Sequence, residues 1–192
     1  MNKVKRIGII AEDDSDFNSS TILIKRIINK DNISFRKAVG NGCGKLRRKA
    51  FDYSVDLKRK NCDLLILLHD LDRNVLSDLE KDLNKKLEKN PFDEFLICIP
   101  IEEIEAWFLS DPEGIKNALS LKRAPNVKAP PETIQSPKEK LRDFVFSCSD
   151  KEKIYLNTKH NEIISKIVSI DLMKNKCKSF HKLHDFLLKY KY

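Results

Sequence analysis

The chain has 192 residues, 41% hydrophobic and 34% charged, with 37 Lys and Arg against 29 Asp and Glu for a net charge of +8. That is enough apolar material for one ordinary domain with an extension, which excludes a disordered chain, and the basic excess favours a polyanionic partner, nucleic acid first. Five cysteines (Cys43, Cys62, Cys98, Cys148, Cys177) with no C-x-x-C exclude a disulfide framework and read as free thiols of a reducing cytosol. The basic N-terminus leads into an apolar run too short for a secretory signal, and no stretch is long enough to span a bilayer. The expectation is a cytoplasmic protein with no membrane partner.

In chain order, Val4–Ile10 reads as a first strand, ending at Glu12 and the acids Asp13, Asp14 and Asp16. A helix follows, its apolar stripe made by Ile22, Leu23, Ile24, Ile27 and Ile28. The three acids at its start read as caps and dipole partners. Ile33–Val39 is a second strand, closed by Gly40-Asn41-Gly42-Cys43-Gly44, which holds three of the five glycines. A basic helix opens there with Lys45, Arg47, Arg48 and Lys49.

Leu64–Leu68 is a continuous apolar run, the signature of a strand buried on both faces of a parallel sheet. It ends in His69-Asp70-Leu71-Asp72. If the chain stays extended through Leu71, both Asp side chains leave on one side. Two carboxylates at a strand end repel unless a cation sits between them, and Mg²⁺ or Mn²⁺ suits one or two carboxylates with water and phosphate oxygens completing the shell. A charged helix (Val75–Lys89) and a fourth strand (Phe95–Ile99, closed by Pro100) complete a β-α-β-α-β-α-β order. That order predicts a doubly wound, mostly parallel, Rossmann-like α/β sheet.

Beyond Pro100 the pattern becomes helical. Ile101–Leu109 reads as an amphipathic helix, with Glu102 and Glu105 at i and i+3 on one face. Pro112–Leu119 is a short helix with proline in its first turn. A proline-rich connection leads to helices over Lys138–Phe146, Asn161–Val168 and Phe180–Tyr190, with a turn near Asp171–Lys174. The expected organisation is an α/β core over 1–110 and a helical C-terminal cap over 111–192 packed on it.

Ligands in open α/β sheets lie beyond the carboxyl ends of the strands, where Glu12, Asp70 and Asp72 share one edge. The glutamates after the fourth strand fall at the same edge. The glycine loop offers backbone N–H groups beside Lys45, Arg47 and Arg48, a candidate phosphate contact. It is not a nucleoside-triphosphate loop, since Leu46 stands where Ser or Thr would follow the lysine. Lys138, Lys159 and His160 of the cap face the acidic edge in this reading, although a lone histidine is more often structural. Cys177, His181 and His184 have zinc-like spacing but only three donors, and read instead as part of a packed helix. Trp107 and Phe108 read as core.

The set Ile9-Ile10-Ala11-Glu12, His69-Asp70-Leu71-Asp72, Ile101-Glu102-Glu103-Ile104-Glu105-Ala106-Trp107 and Cys177-Lys178-Ser179-Phe180 resembles a family of small bacterial TOPRIM-like proteins. TOPRIM is the fold shared by topoisomerases, primases and several nucleases. The resemblance implies a Mg²⁺-dependent (or Mn²⁺-dependent) nuclease acting on DNA or RNA, with an SMC- or ABC-type ATPase as partner in a phage-defence locus. It implies Glu12 as metal ligand or general acid/base and Asp70 and Asp72 as metal ligands. From the later motif it implies a catalytic Glu103 and a metal-binding Glu105, with the choice among Glu102, Glu103 and Glu105 open. Lys45, Arg47, Arg48 and Lys138 are the nucleic-acid candidates. Asp13 stands where the family carries glycine, and no active-site tyrosine signature points to strand passage. Two other classes stay open: a receiver-like Mg²⁺-binding signalling module, and a non-catalytic TOPRIM-like docking partner of an ATPase. Oligomeric state is also open.

Overall fold

The computed structural model describes residues 3–192. Its elements in order are β1 (Arg6–Ala11), α1 (Asp14–Ile28), β2 (Ser34–Val39), α2 (Cys43–Arg59), β3 (Leu64–Leu68), α3 (Leu76–Leu87) and β4 (Phe95–Cys98), then α4 (Glu105–Phe108), α5 (Pro112–Leu119), a 3₁₀ turn (Pro131–Thr133), α6 (Pro137–Cys148), α7 (Asn157–Ile167), α8 (Ile170–Lys176) and α9 (Lys178–Leu188). The four strands are all parallel in the order β2-β1-β3-β4. This is the doubly wound α/β class that the strand and helix alternation predicts. The chain moves outward from β1 to β2, then crosses back to β3 on the other side of β1. Strand order therefore reverses between β1 and β3, and a crevice opens beyond their carboxyl ends.

Alternation along the central strands builds two cores. Ile7, Ile9, Leu64, Ile66 and Leu68 face α1 and the C-terminal helices, meeting Leu23, Ile24, Ile27, Trp107, Phe180 and Leu187. Ile10, Leu65 and Leu67 face α2 and α3, meeting Leu46, Ala50, Leu57, Leu79, Leu83 and Leu87. All five residues of β3 are buried, as its unbroken apolar run requires.

The C-terminal helices do more than lie on a finished core. α9 packs beside α1 and against β4, and α7 packs along α1 and α5. The Trp107 ring, fully buried, meets Phe180 of α9 edge-to-face at 5.1 Å, and its Nε1–H donates to Ser179 Oγ at 2.7 Å. Glu132 of the 3₁₀ turn accepts from the backbone N–H groups of Lys178 (2.7 Å) and Ser179 (2.9 Å), capping α9. The Cys177-Lys178-Ser179-Phe180 motif is thus a fastening. Trp107 and Phe108 are core residues, each 0% exposed.

The structure differs from the sequence expectation in two places that matter for the site. The strand ends at Leu68, the His69 and Leu71 N–H groups still bond the Cys98 and Pro100 carbonyls at 3.1 Å, and Asp72 (φ 48°) and Arg73 (φ 60°) are left-handed, so the chain turns at the second aspartate rather than presenting both from one strand. Asn74 holds this turn, its Nδ2 donating to the Leu71 carbonyl at 2.6 Å. Second, the helix expected from Ile101 begins only at Glu105 and lasts one turn. Glu102 has φ 63°, and the Glu103 N–H returns to the Ile101 carbonyl at 3.0 Å, the bond of a γ-turn. Glu102 and Glu105 therefore do not share a helix face.

Candidate functional site

Glu12 leaves the end of β1 into the crevice, half-buried. Its Oε1 accepts the Asp70 N–H at 3.3 Å and lies 3.3 Å from His69 Nδ1. Burial, and next the Asp72 charge, push its carboxyl up to about 7. His69 is completely buried. Its Nε2 lies 3.0 Å from Arg47 Nε, which can only donate, so Nε2 accepts and the ring proton sits on Nδ1. That proton points at the Asp70 carbonyl (2.5 Å) and at Glu12. Burial, helped by the Arg47 charge, holds the imidazole below its ordinary pKa, so the ring is neutral. Arg47 also reaches Asn74 Oδ1 at 3.4 Å. An Arg47–His69–Glu12 chain thus fixes the carboxylate from behind.

The turn at Asp72 separates the two aspartates. Asp72 is exposed and joins Glu12 and Cys43, whose ligand atoms all lie within 4.8 Å of one another. Asp70 turns inward. Its carboxyl is pushed far up by burial and by the charges of Asp16, Glu105, Glu12 and Asp72. Asp16, read from sequence as a capping acid, is 8% exposed and belongs to the same inner group. The cap is Asp13, whose side chain accepts the Asp16 N–H at 3.0 Å. The Asp16 carboxyl takes no hydrogen bond among the described residues, and burial followed by Asp13, Glu105 and Glu12 raises its pKa.

Glu105 is 3% exposed and is gripped from the C-terminal segment. Tyr155 Oη donates to it at 2.7 Å and Asn161 Nδ2 at 3.1 Å. Tyr155 Oη also contacts Asn161 Oδ1. Glu103 lies to one side, its carboxylate accepting the Lys138 N–H at the start of α6 (3.1 Å). Burial, then Glu105, push it up to about 7. Lys138 is half-buried, and its charge partly offsets that of Asp16. Outside, an open hollow of about 430 Å³ is lined by Asp72, Arg73, Glu102, Glu103, Ser136 and Glu139.

The predicted acids are therefore assembled, in two tiers: Glu12 and Asp72 at the mouth, Asp70 and Glu105 behind with Asp16. Lys45 and Arg48 are exposed at the start of α2, next to Cys43, while Arg47 is turned in to His69. His160 serves locally, its Nδ1 accepting the Leu156 N–H at 2.8 Å. Cys177 is buried, and His181 and His184 pair with Asp185. Sequence reading missed Asp16, Cys43, His69, Tyr155 and Asn161. The available signals were His69 adjoining the Asp-x-Asp and Cys43 within the glycine loop.

A family model described as "Domain of unknown function (DUF4276)" matches residues 11–188. The chain belongs to that family. No curated protein and no solved structure matches it. The matched span runs from the end of β1 to the end of α9, so the DUF4276 unit contains both acid tiers and the Tyr155–Asn161 grip. No helix among the described residues is long and apolar enough to cross a membrane.

Arg47 supplies one prediction here. Arg47→Met keeps the aliphatic stem but leaves buried His69 Nε2 without a donor. An unsatisfied buried polar atom costs about 1–3 kcal/mol, so the unfolding free energy from urea titration should fall by that amount and the midpoint should drop with it. An unchanged midpoint would remove Arg47 from the support of the site.

Proposed function

We propose that the chain is a divalent-cation-dependent nuclease hydrolysing phosphodiester bonds in DNA or RNA. The observation that carries this reading is the convergence of Glu12 and Asp72 at the sheet's switch point, beside half-buried Asp70 and the buried carboxyls of Asp16 and Glu105. The donors fit a cation. Two carboxylates at the mouth suit Mg²⁺ or Mn²⁺ with water filling the remaining positions. Burial raises the Asp16 and Glu12 carboxyls, and the neighbouring carboxylates raise them further.

When bound, such a cation supplies Lewis-acid stabilisation of a phosphoryl oxygen and a more acidic water. The chain's own residues do the rest. Glu12, oriented by His69 Nδ1–H and the Asp70 N–H, is held in place to ligate the cation with Asp72. Glu103, raised to about 7 mainly by burial, lines the same outer hollow as Asp72. Lys45 and Arg48, exposed where α2 begins, are placed to hold backbone phosphates, and the net charge of +8 favours a polyanion. The resemblance to TOPRIM proteins supports the same chemistry and adds an SMC- or ABC-type ATPase as proposed partner.

The test is cleavage of plasmid DNA and of total tRNA with Mg²⁺ or Mn²⁺, alone and with a co-expressed ATPase partner. Cleavage should vanish with EDTA and in Glu12→Gln. Cleavage that persists in both would overturn the assignment. For the basic entry, Lys45→Ala and Arg48→Ala should each reduce the slope of log affinity against log salt by about 1. Equal slopes in mutant and wild type would place the nucleic acid elsewhere.

A further inference from the structure

The mouth of the site has a third donor of different chemistry. Cys43 is the first residue of α2 and sits opposite Glu12 because the 40–42 loop is tied to the end of β1. The Gly40 N–H donates to the Ala11 carbonyl at 3.0 Å, and the Gly42 N–H to the Glu12 carbonyl at 3.4 Å. Gly42 takes φ 109°, which permits this approach. Three chain segments thus deliver one sulfur and two carboxylate oxygens to one point, each within 4.8 Å of the others. Tetrahedral donors around a Zn²⁺-sized ion stand about 3.3–3.5 Å apart. The closure needed is on the order of 1 Å, within reach of an exposed Asp72 and a half-buried Glu12.

Sulfur decides which ion benefits. Mg²⁺ is hard, prefers oxygen and gains nothing from a thiolate, whereas Zn²⁺ and Cd²⁺ bind thiolate strongly. Three protein donors with an open fourth position is also the pattern of zinc sites that retain a water. Among the five cysteines, Cys43 alone is not buried, and burial pushes the Cys62 thiol up to about 11 and those of Cys98 and Cys177 up to about 12.

We propose that Cys43, with Glu12 and Asp72, makes the outer position of the site selective for a thiophilic divalent cation of the Zn²⁺ class over Mg²⁺. This rests on reading the crevice as a cation site, but not on hydrolysis taking place there. One consequence concerns regulation: Zn²⁺ held through Cys43 occupies the position that Mg²⁺ shares between Glu12 and Asp72. Trace zinc then suppresses Mg²⁺-supported cleavage, and Cys43→Ser relieves the suppression.

The experiment titrates the reduced full-length chain with Cd²⁺ and follows the ultraviolet thiolate-to-cadmium charge-transfer band. The expected result is a band saturating at one equivalent, displaced by Zn²⁺ and unaffected by excess Mg²⁺. It should be absent in Cys43→Ser, and its apparent affinity should fall at least about tenfold in the Glu12→Gln/Asp72→Asn double variant. No band in the wild type, a band retained in Cys43→Ser, or an affinity indifferent to the two carboxylates would each overturn the proposal. Circular dichroism of each variant separates misfolding from loss of a donor. The band needs no turnover: Mg²⁺-dependent cleavage without it removes the thiol's role and keeps the nuclease reading. The band without cleavage under any condition does the reverse.

Discussion

Asp70→Asn should abolish metal-dependent cleavage, by at least about 10²-fold, and at the same time make the metal-free protein more stable. Both effects follow from one geometry. Asp70 is half-buried, and burial first, then the charges of Asp16, Glu105, Glu12 and Asp72, disfavour its ionised form. A cation relieves that repulsion. Without a cation, an amide relieves it permanently. A gain of about 1 kcal/mol would appear as a rise of roughly 2–4 °C in melting temperature for a chain of this size. Loss of activity together with loss of stability would mean that Asp70 is a structural hydrogen-bond acceptor, and the acidic-crevice argument would fail.

The sign of the pH dependence sharpens this. A carboxyl whose folded pKa lies above its unfolded value binds more protons folded than unfolded between the two values. Stability is therefore full below the unfolded pKa and is lost as pH rises through the folded one. Asp70 and Asp16 are raised well above the ordinary aspartate value, and Glu12 and Glu103 are raised from 4.5 to about 7. The metal-free protein should thus lose stability as pH rises from about 4.5 to 7. The melting-temperature gap between Asp70→Asn and wild type should be small at the acidic end and open as pH rises. Saturating Mg²⁺ should narrow it, since a ligand at 100 times its Kd stabilises the folded state by about 2.7 kcal/mol. A gap that widens toward acid would contradict the sign.

Local patterns in the chain carry the sheet and its outer acids. Leu64–Leu68 has no polar position, so only a strand covered on both faces accommodates it, and whatever follows must surface at the sheet's edge. Glu12, Asp70 and Asp72 are legible for that reason. The internal arrangement is not. Asp13 and Asp16 are interchangeable as capping acids in sequence, and Asp16 becomes a buried site residue only because α7 packs on α1 some 140 positions later, with Ser15 Oγ donating to the Asn157 carbonyl at 3.2 Å and Asn18 Nδ2 to Glu162 at 2.8 Å. Tyr155 and Asn161 grip Glu105 from 50 and 56 positions further along the chain. The helix expected from Ile101 fails because the γ-turn at Glu102 lets the Glu102 carbonyl accept the Asp72 N–H at 3.4 Å, a tertiary bond that helix periodicity cannot register.

That long-range assembly sets up the second large effect. A fragment ending at residue 110 contains the four strands, the three helices between them and every acid of the two tiers, but not the Tyr155–Asn161 grip, and it should not fold cooperatively. In the intact chain, the sheet face that carries Ile7, Ile9, Leu64, Ile66 and Leu68 is closed by α1 and α9 together. Removing 111–192 strips the cover from Trp107, Phe108, Ile104 and Leu68 and leaves the β4 side of that face bare. Burial of one such side chain contributes roughly 1.5–3 kcal/mol. Losing four or five of them matches the whole stability of about 5–15 kcal/mol that a domain possesses. Glu105 would also lose both donors. The fragment should melt without a sigmoidal transition in circular dichroism, whereas 1–192 should show a single one. A sharp transition in the fragment would make residues 1–110 an independent domain and the C-terminal helices an accessory cover. Without one, the acidic crevice and the C-terminal helices fold as one unit, and a substitution in α7 or α9 that loosens Asn161 or Phe180 should disturb the carboxyls around Asp70.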